Sequence, residues 1–324
     1  IMKDDEWEIK DPIDIIFNKK TNAVDISDDT DYKLIQELDY KSKLLEMNKR
    51  IDPKKLIHTN NYLSLAVKKE TITSKKLSEE IIHQYYEILR NPIKKYQKKP
   101  KARALYNIAE KNLGHPNIEL VNKIEKFILK NREKIWENMN LKKKNYAKIF
   151  FIYSDEEKTK QLYQIENERY LIPHIYNSND FNMNCTNGII GLPNDNMSMN
   201  KKKPYLENKT RKVKVPYLLD QERVLLQSKF FDYLLGQTSK KKYHIYVDNM
   251  GKEIYSYTNK EKPEDIVSGY YLRCRMSEKG VEICEADVIT HYKTKLEKGF
   301  VLKNYIEIPQ KIVEKSKIHY DEMI

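Results

Sequence analysis

Cysteine is scarce in this chain: Cys185, Cys274 and Cys284 form no C-x-x-C pair and no spacing that a metal site uses. Disulfide-framed and zinc-stapled folds are excluded, and a reduced, cytoplasmic setting fits best. Glycine is also rare, at eight residues, and neither G-x-G-x-x-G nor G-x-x-x-x-G-K-[ST] occurs, so the common glycine-rich phosphate cradles are absent. G-x-S-x-G and H-E-x-x-H are missing too, and the seven histidines stand singly. Apolar runs stay short, as in IFFIY at 149–153, which excludes a membrane-spanning helix. The opening IMKDDEWEIK is acidic and has no apolar signal core.

What remains is a chain of 324 residues, 40% hydrophobic and 33% charged, long enough for one large domain or two ordinary ones with a real core. Sixty Lys and Arg against 48 Asp and Glu give a net charge of +12, which favours a polyanionic partner. Only nine of those cations are arginine, and Lys, Asn, Ile and Tyr abound. Their codons are rich in A and T, so base composition inflates the lysine count. Where the charge lies therefore matters more than its sum.

Residues 30–49 carry Leu34, Ile35, Leu38, Leu44 and Leu45 near a 3.6-residue period and predict a helix. LSEEIIHQYYEILR (77–90) repeats the pattern and stops at Asn91-Pro92. KARALYNIAEKNLG ends in a capping glycine, Gly114, and Asn117 opens a further long helix through Trp136. After NLKKKN (140–145) the texture changes to short β-branched and aromatic runs: AKIFFIY, ERYLIPHIY, KYHIYVD, EIYSYT, GYYLRCRM and VEICEADVI. Turn chemistry at Asp248-Asn249-Met250-Gly251 and Ser277-Glu278-Lys279-Gly280 predicts two β-hairpins. One helix, DQERVLLQSKFFDYLLG, interrupts, capped by Asp220 and closed by Gly236. The expected class is α+β, a helical segment over about 75–145 packed with antiparallel hairpins. The expected segments are a mixed 1–75, a helical 76–148, a β-rich 149–310 and the start of a C-terminal helical region at 311–324.

Candidate chemistry is thin. EADVITHYKTK offers Glu285 and Asp287 as metal ligands with Lys293 or Lys295 to steady an attacking water, the ingredients of a metal-dependent nuclease. The carboxylate-to-lysine gap of five or more residues is wider than that chemistry ordinarily uses. Cys274 and Cys284 flank a hairpin turn and are read as a structural thiol pair. No cofactor and no metal is expected.

The most unusual stretch is GLPNDNMSMNKKKPYLENKTRKVKVPYL, residues 191–218. Between Pro193 and Pro216, Lys201, Lys202, Lys203, Lys209, Arg211, Lys212 and Lys214 oppose Asp195 and Glu207, leaving +5 in 24 residues. Such cations neutralise phosphates and release counterions. Asn194, Asn196 and Asn200 carry amides with both donor and acceptor, the equipment for base edges. In RKVKVPYL, Val213 and Val215 alternate with Lys212 and Lys214, as in a strand that anchors the loop with one cationic face. A solvated surface loop is the competing reading. A second candidate surface is HTNNYLSLAVKKE (58–70), where Asn60 and Asn61 precede an apolar run; a turn leading into a core strand accounts for it equally well.

RIDPKKLIHTNNYLSLAVKKE (50–70), RYLIPHIYNSNDFN (169–182), GLPNDNMSMNKKKPYLENKTRKVKVPYLL (191–219) and LLQSKFFDYLLGQ (225–237) together resemble the large subunit of type I-B CRISPR interference complexes, the Cascade-type surveillance assemblies. The resemblance spans about 45–310, and 191–237 is its most specific part. It implies a non-enzymatic antiviral-defence role beside guide RNA (crRNA) and the backbone subunits of the Cascade complex. The implied tasks are reading the protospacer-adjacent motif on target double-stranded DNA, aiding strand separation and recruiting a helicase-nuclease. In such assemblies guide pairing reads sequence and the protein checks only the flanking motif. The assignment of Asn194, Asn196, Asn200 and Lys201–Lys203 to that task follows from local chemistry rather than from mapped family residues. Relatives that end in a helical bundle imply one beyond IHYDEMI, so the chain is expected to be a fragment or a reduced variant; the zinc-binding cysteines of some relatives have no counterpart. The alternatives are the nuclease reading and a scaffold that binds guide RNA only.

Overall fold

The computed structural model describes residues 1–3, 6–18, 23–26, 31–45, 49–142, 145–177, 179–186, 188–194, 210, 212, 215, 217–261, 268–277, 280–290, 301, 303, 305 and 308–316. In chain order the elements are β1 (Met2–Lys3), β2 (Glu6–Trp7), β3 (Ile15–Asn18), β4 (Ala23–Ile26), α1 (Tyr32–Ser42), β5 (Ser64–Lys68), α2 (Lys69–Thr73), α3 (Glu79–Arg90), α4 (Pro100–Leu113), α5 (Ile118–Glu137) and β6 (Tyr146–Phe150). They continue with α6 (Glu156–Leu171), β7 (Met183–Cys185), β8 (Gly188–Ile190), α7 (Gln221–Ser239), β9 (Lys242–Asp248), β10 (Ile254–Thr258), β11 (Gly269–Ser277), β12 (Gly280–Ile289) and α8 (Gln310–Ser316). The class is α+β with small antiparallel sheets. The chain divides into two compact units, residues 1–236 with 277–280, and residues 237–276 with 281–324. That boundary falls within α7, not at the change of texture near 148, because β6 pairs back onto β5 inside the first unit.

The first unit is built on the β5–β6 pair, in register from Ser64↔Phe150 to Lys68↔Tyr146. Helices close around it because their apolar residues fall on one face. In α3, Ile82, Tyr85, Tyr86 and Leu89 are buried, and Ser78 caps the first turn by accepting from Ile81 N. α5 is capped by Asn117, whose Oδ1 accepts from Leu120 N at 3.0 Å, and buries Leu120, Val121, Ile124 and Ile128. α4 ends at Gly114 with φ +76, the left-handed conformation that glycine adopts without strain. Each buried Leu, Ile or Val side chain contributes on the order of 2 kcal/mol.

This core is unusually rich in tyrosine: Tyr62, Tyr85, Tyr86, Tyr106 and Tyr163 are fully buried. Buried phenols need partners. Tyr163 OH donates to Leu63 O at 2.5 Å and accepts from Phe151 N, and Tyr85 OH donates to Asn61 O at 3.0 Å.

ERYLIPHIY, expected as a strand, is the end of α6 followed by a short 3-10 turn through His174. The helix is hard to see because its inward face is largely polar. Thr159, Tyr163, Glu166, Asn167 and Tyr170 recur at helical spacing, and Glu166 is held there by Arg169 at 3.0 Å. Helix α7 begins as predicted, with Asp220 Oδ1 accepting from Arg223 N, but runs through Gly236 to Ser239. It stops where Lys241 takes φ +64.

The second unit holds a four-stranded sheet in the order β10-β9-β11-β12. Its β9–β10 hairpin turns at the predicted Asp248–Gly251, with Gly251 at φ +65. Ile245, Cys274 and Val281 form its buried side.

Candidate nucleic-acid interface

The basic stretch 191–218 has a closed base within the first unit. Gly191 N donates to Leu219 O at 2.9 Å, and Leu219 N returns a bond to Gly191 O at 2.9 Å. A second pair holds the outgoing strand to the segment after α6: Asn177 N reaches Leu192 O at 2.8 Å, and Asn194 N reaches Ile175 O at 2.9 Å. Leu192 and Val215 are buried, so the stretch is fixed by an apolar residue near each end.

Tyr176 is the keystone of this base. Only 4% exposed, it aims its hydroxyl at Ile189 O (2.8 Å) and Leu219 O (3.2 Å). Burial, with Asp220 nearby, pushes this phenol up to about 12, so it remains a donor throughout the ordinary pH range. The ring lies so close to Gly191 that a Cβ there would sit 2.7 Å from Tyr176 Cγ and 2.5 Å from Asn182 Oδ1. Glycine is required at 191 by this approach, not by its backbone angles. No sequence signal singles out Tyr176 among 24 tyrosines.

Of the residues predicted to touch nucleic acid, Asn194 lies at the base, half-buried, with its backbone N–H engaged as above. Lys212 is exposed, and it and Val215 lie at bends. Asn196, Asn200, Lys201, Lys202, Lys203, Lys209, Arg211 and Lys214 lie outside the described residues, as does most of the strand expected at 211–215.

Asn60 and Asn61 require a correction. They are 2% and 0% exposed, and their amides serve the interior. Asn61 Oδ1 accepts from Leu63 N at 3.0 Å while its Nδ2 donates to Tyr163 O at 3.3 Å; Asn60 Nδ2 donates to Lys43 O at 2.7 Å. The polar turn exists to satisfy backbone groups where the chain enters the central strand β5, so neither amide is presented to a nucleic acid.

The nuclease residues lie on exposed β12. Glu285 is paired with Arg273, which holds its carboxyl below the usual range, and Asp287 Oδ1 accepts from the adjacent Val288 N. Lys293 and Lys295 lie outside the described residues. Among the described residues no three His, Cys, Asp or Glu converge as a metal ion requires, and no helix is long and apolar enough to cross a membrane. Comparison with family models, curated proteins and solved structures finds no match to this chain.

Proposed function

We propose that this protein is a non-catalytic nucleic-acid-binding subunit whose basic stretch 191–218 grips sugar-phosphate strands. The observation that carries the reading is the closed base. A span holding +5 in 24 residues departs from and returns to one point, fixed by the reciprocal Gly191–Leu219 bonds and the Tyr176 hydroxyl. Fixing both ends removes part of the conformational entropy that an untethered lysine-rich segment loses on binding. In line with the family resemblance, the protein acts as the large subunit of a guide-RNA interference complex. There the asparagines of the span test the motif flanking target double-stranded DNA, and the assembly goes on to recruit a helicase-nuclease.

The test is charge reversal of Lys201, Lys202 and Lys203, read by binding of target duplex across a salt series and by co-purification of guide RNA and backbone subunits. The expected result is weaker duplex binding and a shallower salt dependence with assembly intact. Unchanged affinity and slope would sink the reading. Crosslinking of the span to guide RNA but never to target DNA would replace it with the scaffold role. Metal-dependent cleavage abolished by Asp287→Ala would replace it with the nuclease.

A further inference from the structure

A second cationic cluster in the first unit lies where Lys95, in the short 3-10 turn Pro92–Tyr96 after α3, meets Lys49 and Lys99. Lys95 Nζ donates to Lys49 O at 3.0 Å and lies 5.3 Å from the Tyr170 ring centroid. Tyr170 OH donates to the same Lys49 carbonyl at 3.1 Å. Lys99, exposed to solvent, immediately precedes α4, whose first turn carries no acidic side chain. Neighbouring cations are neutralised, Lys94 by Glu87 and Lys101 by Asp180. Lys49, Lys95 and Lys99 have no carboxylate within ion-pairing distance among the described residues. Asp52, whose charge acts on Lys95, is 2% exposed and spends its oxygens on Leu56 N and Ile57 N. Burial and the charges of Lys99 and Lys49 bring Lys95 down to about 7, and burial with the charge of Lys95, then of Lys49 and Lys99, brings His174 down to about 3. Among the described residues the fold therefore crowds these like charges together, and buried Asp52 is the acid whose charge acts on Lys95.

We propose that Lys49, Lys95 and Lys99 form a phosphodiester-binding cluster that takes the same nucleic-acid strand as the 191–218 span. The inference rests on the proposed function and extends it. Continuity comes from one segment, Tyr170 to Tyr176. At one end Tyr170 and His174 pack against the lysine cluster, His174 Nδ1 lying 2.8 Å from Tyr170 O. At the other end Ile175 and Tyr176 form the base of the span. Tyr170 and Tyr176 are six positions apart, at most ~22 Å if fully extended. Successive phosphates of a strand bridge such a distance within a few nucleotides.

The experiment compares wild type, Lys49→Gln/Lys99→Gln and the Lys201–Lys203 charge reversal for binding of a labelled single-stranded RNA and a DNA duplex across a salt series. Thermal melts confirm that each variant is folded. Each lost phosphate contact lowers the slope of log K against log salt by about 0.7 for a single strand and about 0.9 for a duplex. The cluster variant is expected to lose about 1.4 in slope on RNA or about 1.8 on duplex by that rule. A cluster variant that matches wild type while the span variant weakens overturns this inference and leaves the proposed function standing. A cluster variant that weakens while the span variant does not overturns both the shared strand proposed here and the span's role in the proposed function. If wild type binds neither probe, both fall.

Discussion

Replacing Gly191 with alanine tests the base of the basic span directly. The added methyl would meet Tyr176 Cγ and Cδ1 at 2.7 Å and Asn182 Oδ1 at 2.5 Å. Ordinary carbon contacts begin near 3.5 Å, so the neighbours must yield by about 1 Å. Tyr176 has little room to do so. It is buried in the main core, and its hydroxyl is committed to the carbonyls of Ile189 and Leu219. Overpacking of this kind costs about 1–3 kcal/mol, and loss of the tyrosine hydrogen bond adds about 1 kcal/mol. The expected destabilisation is therefore about 2–4 kcal/mol, measured by urea unfolding. In a Tyr176→Ala background the ring is gone, so the alanine penalty should shrink by at least ~1 kcal/mol, a coupling that a double-mutant cycle resolves. Nucleic-acid affinity at fixed salt should fall with Gly191→Ala even though every cation of the span is retained. A neutral Gly191→Ala variant, or strictly additive costs in the cycle, would refute the keystone role of Tyr176.

Asn61→Ala should cost about 1–3 kcal/mol by leaving Leu63 N unpaired in the interior and removing a second hydrogen bond to the helical carbonyl of Tyr163, with nucleic-acid affinity unchanged; a loss of affinity at unchanged stability would restore it as a contact. His174 and His58 are held neutral by burial, at about 3 and about 4. The unfolded chain therefore binds protons that the folded chain refuses, and stability falls as pH drops below about 6.5 and levels off only near the folded values. For His174 the slope is up to ~1.4 kcal/mol per pH unit in that window, and His174→Phe should remove it; identical pH profiles for the two proteins would contradict this. Lys95, facing Lys49, Lys99, Asp52, His174 and the Tyr170 ring, should be recharged by a bound phosphate, so RNA affinity falls from pH 6.5 to 8.5 by up to about tenfold per unit. Lys95→Met should flatten that profile, and a wild-type profile already flat would speak against a phosphate beside Lys95.

The sequence by itself determined the elements whose signals are local. α3, α4 and α5 follow from apolar spacing together with Ser78, Asn117 and Gly114, because a cap or a left-handed glycine acts within one turn of chain. The β9–β10 hairpin follows in the same way from Asp248–Gly251, and so does the start of α7 from Asp220. Net charge and its concentration between Pro193 and Pro216 are likewise properties of the string.

Tertiary structure decided what depends on partners distant in the chain. α6 reads as polar because Glu166, Asn167 and Arg169 are buried only once Gly114 O and each other are in place to receive them. Asn60 and Asn61 look like surface amides until β5 and α6 close over them. The glycine at 191 acquires its meaning from a tyrosine fifteen positions earlier. Lys49 and Lys95, 46 residues apart, become a cluster only when α6 delivers Tyr170 between them. A hydrogen bond or a like-charge contact across such separations leaves no periodic trace in the sequence, since its strength depends on distance in space and not along the chain.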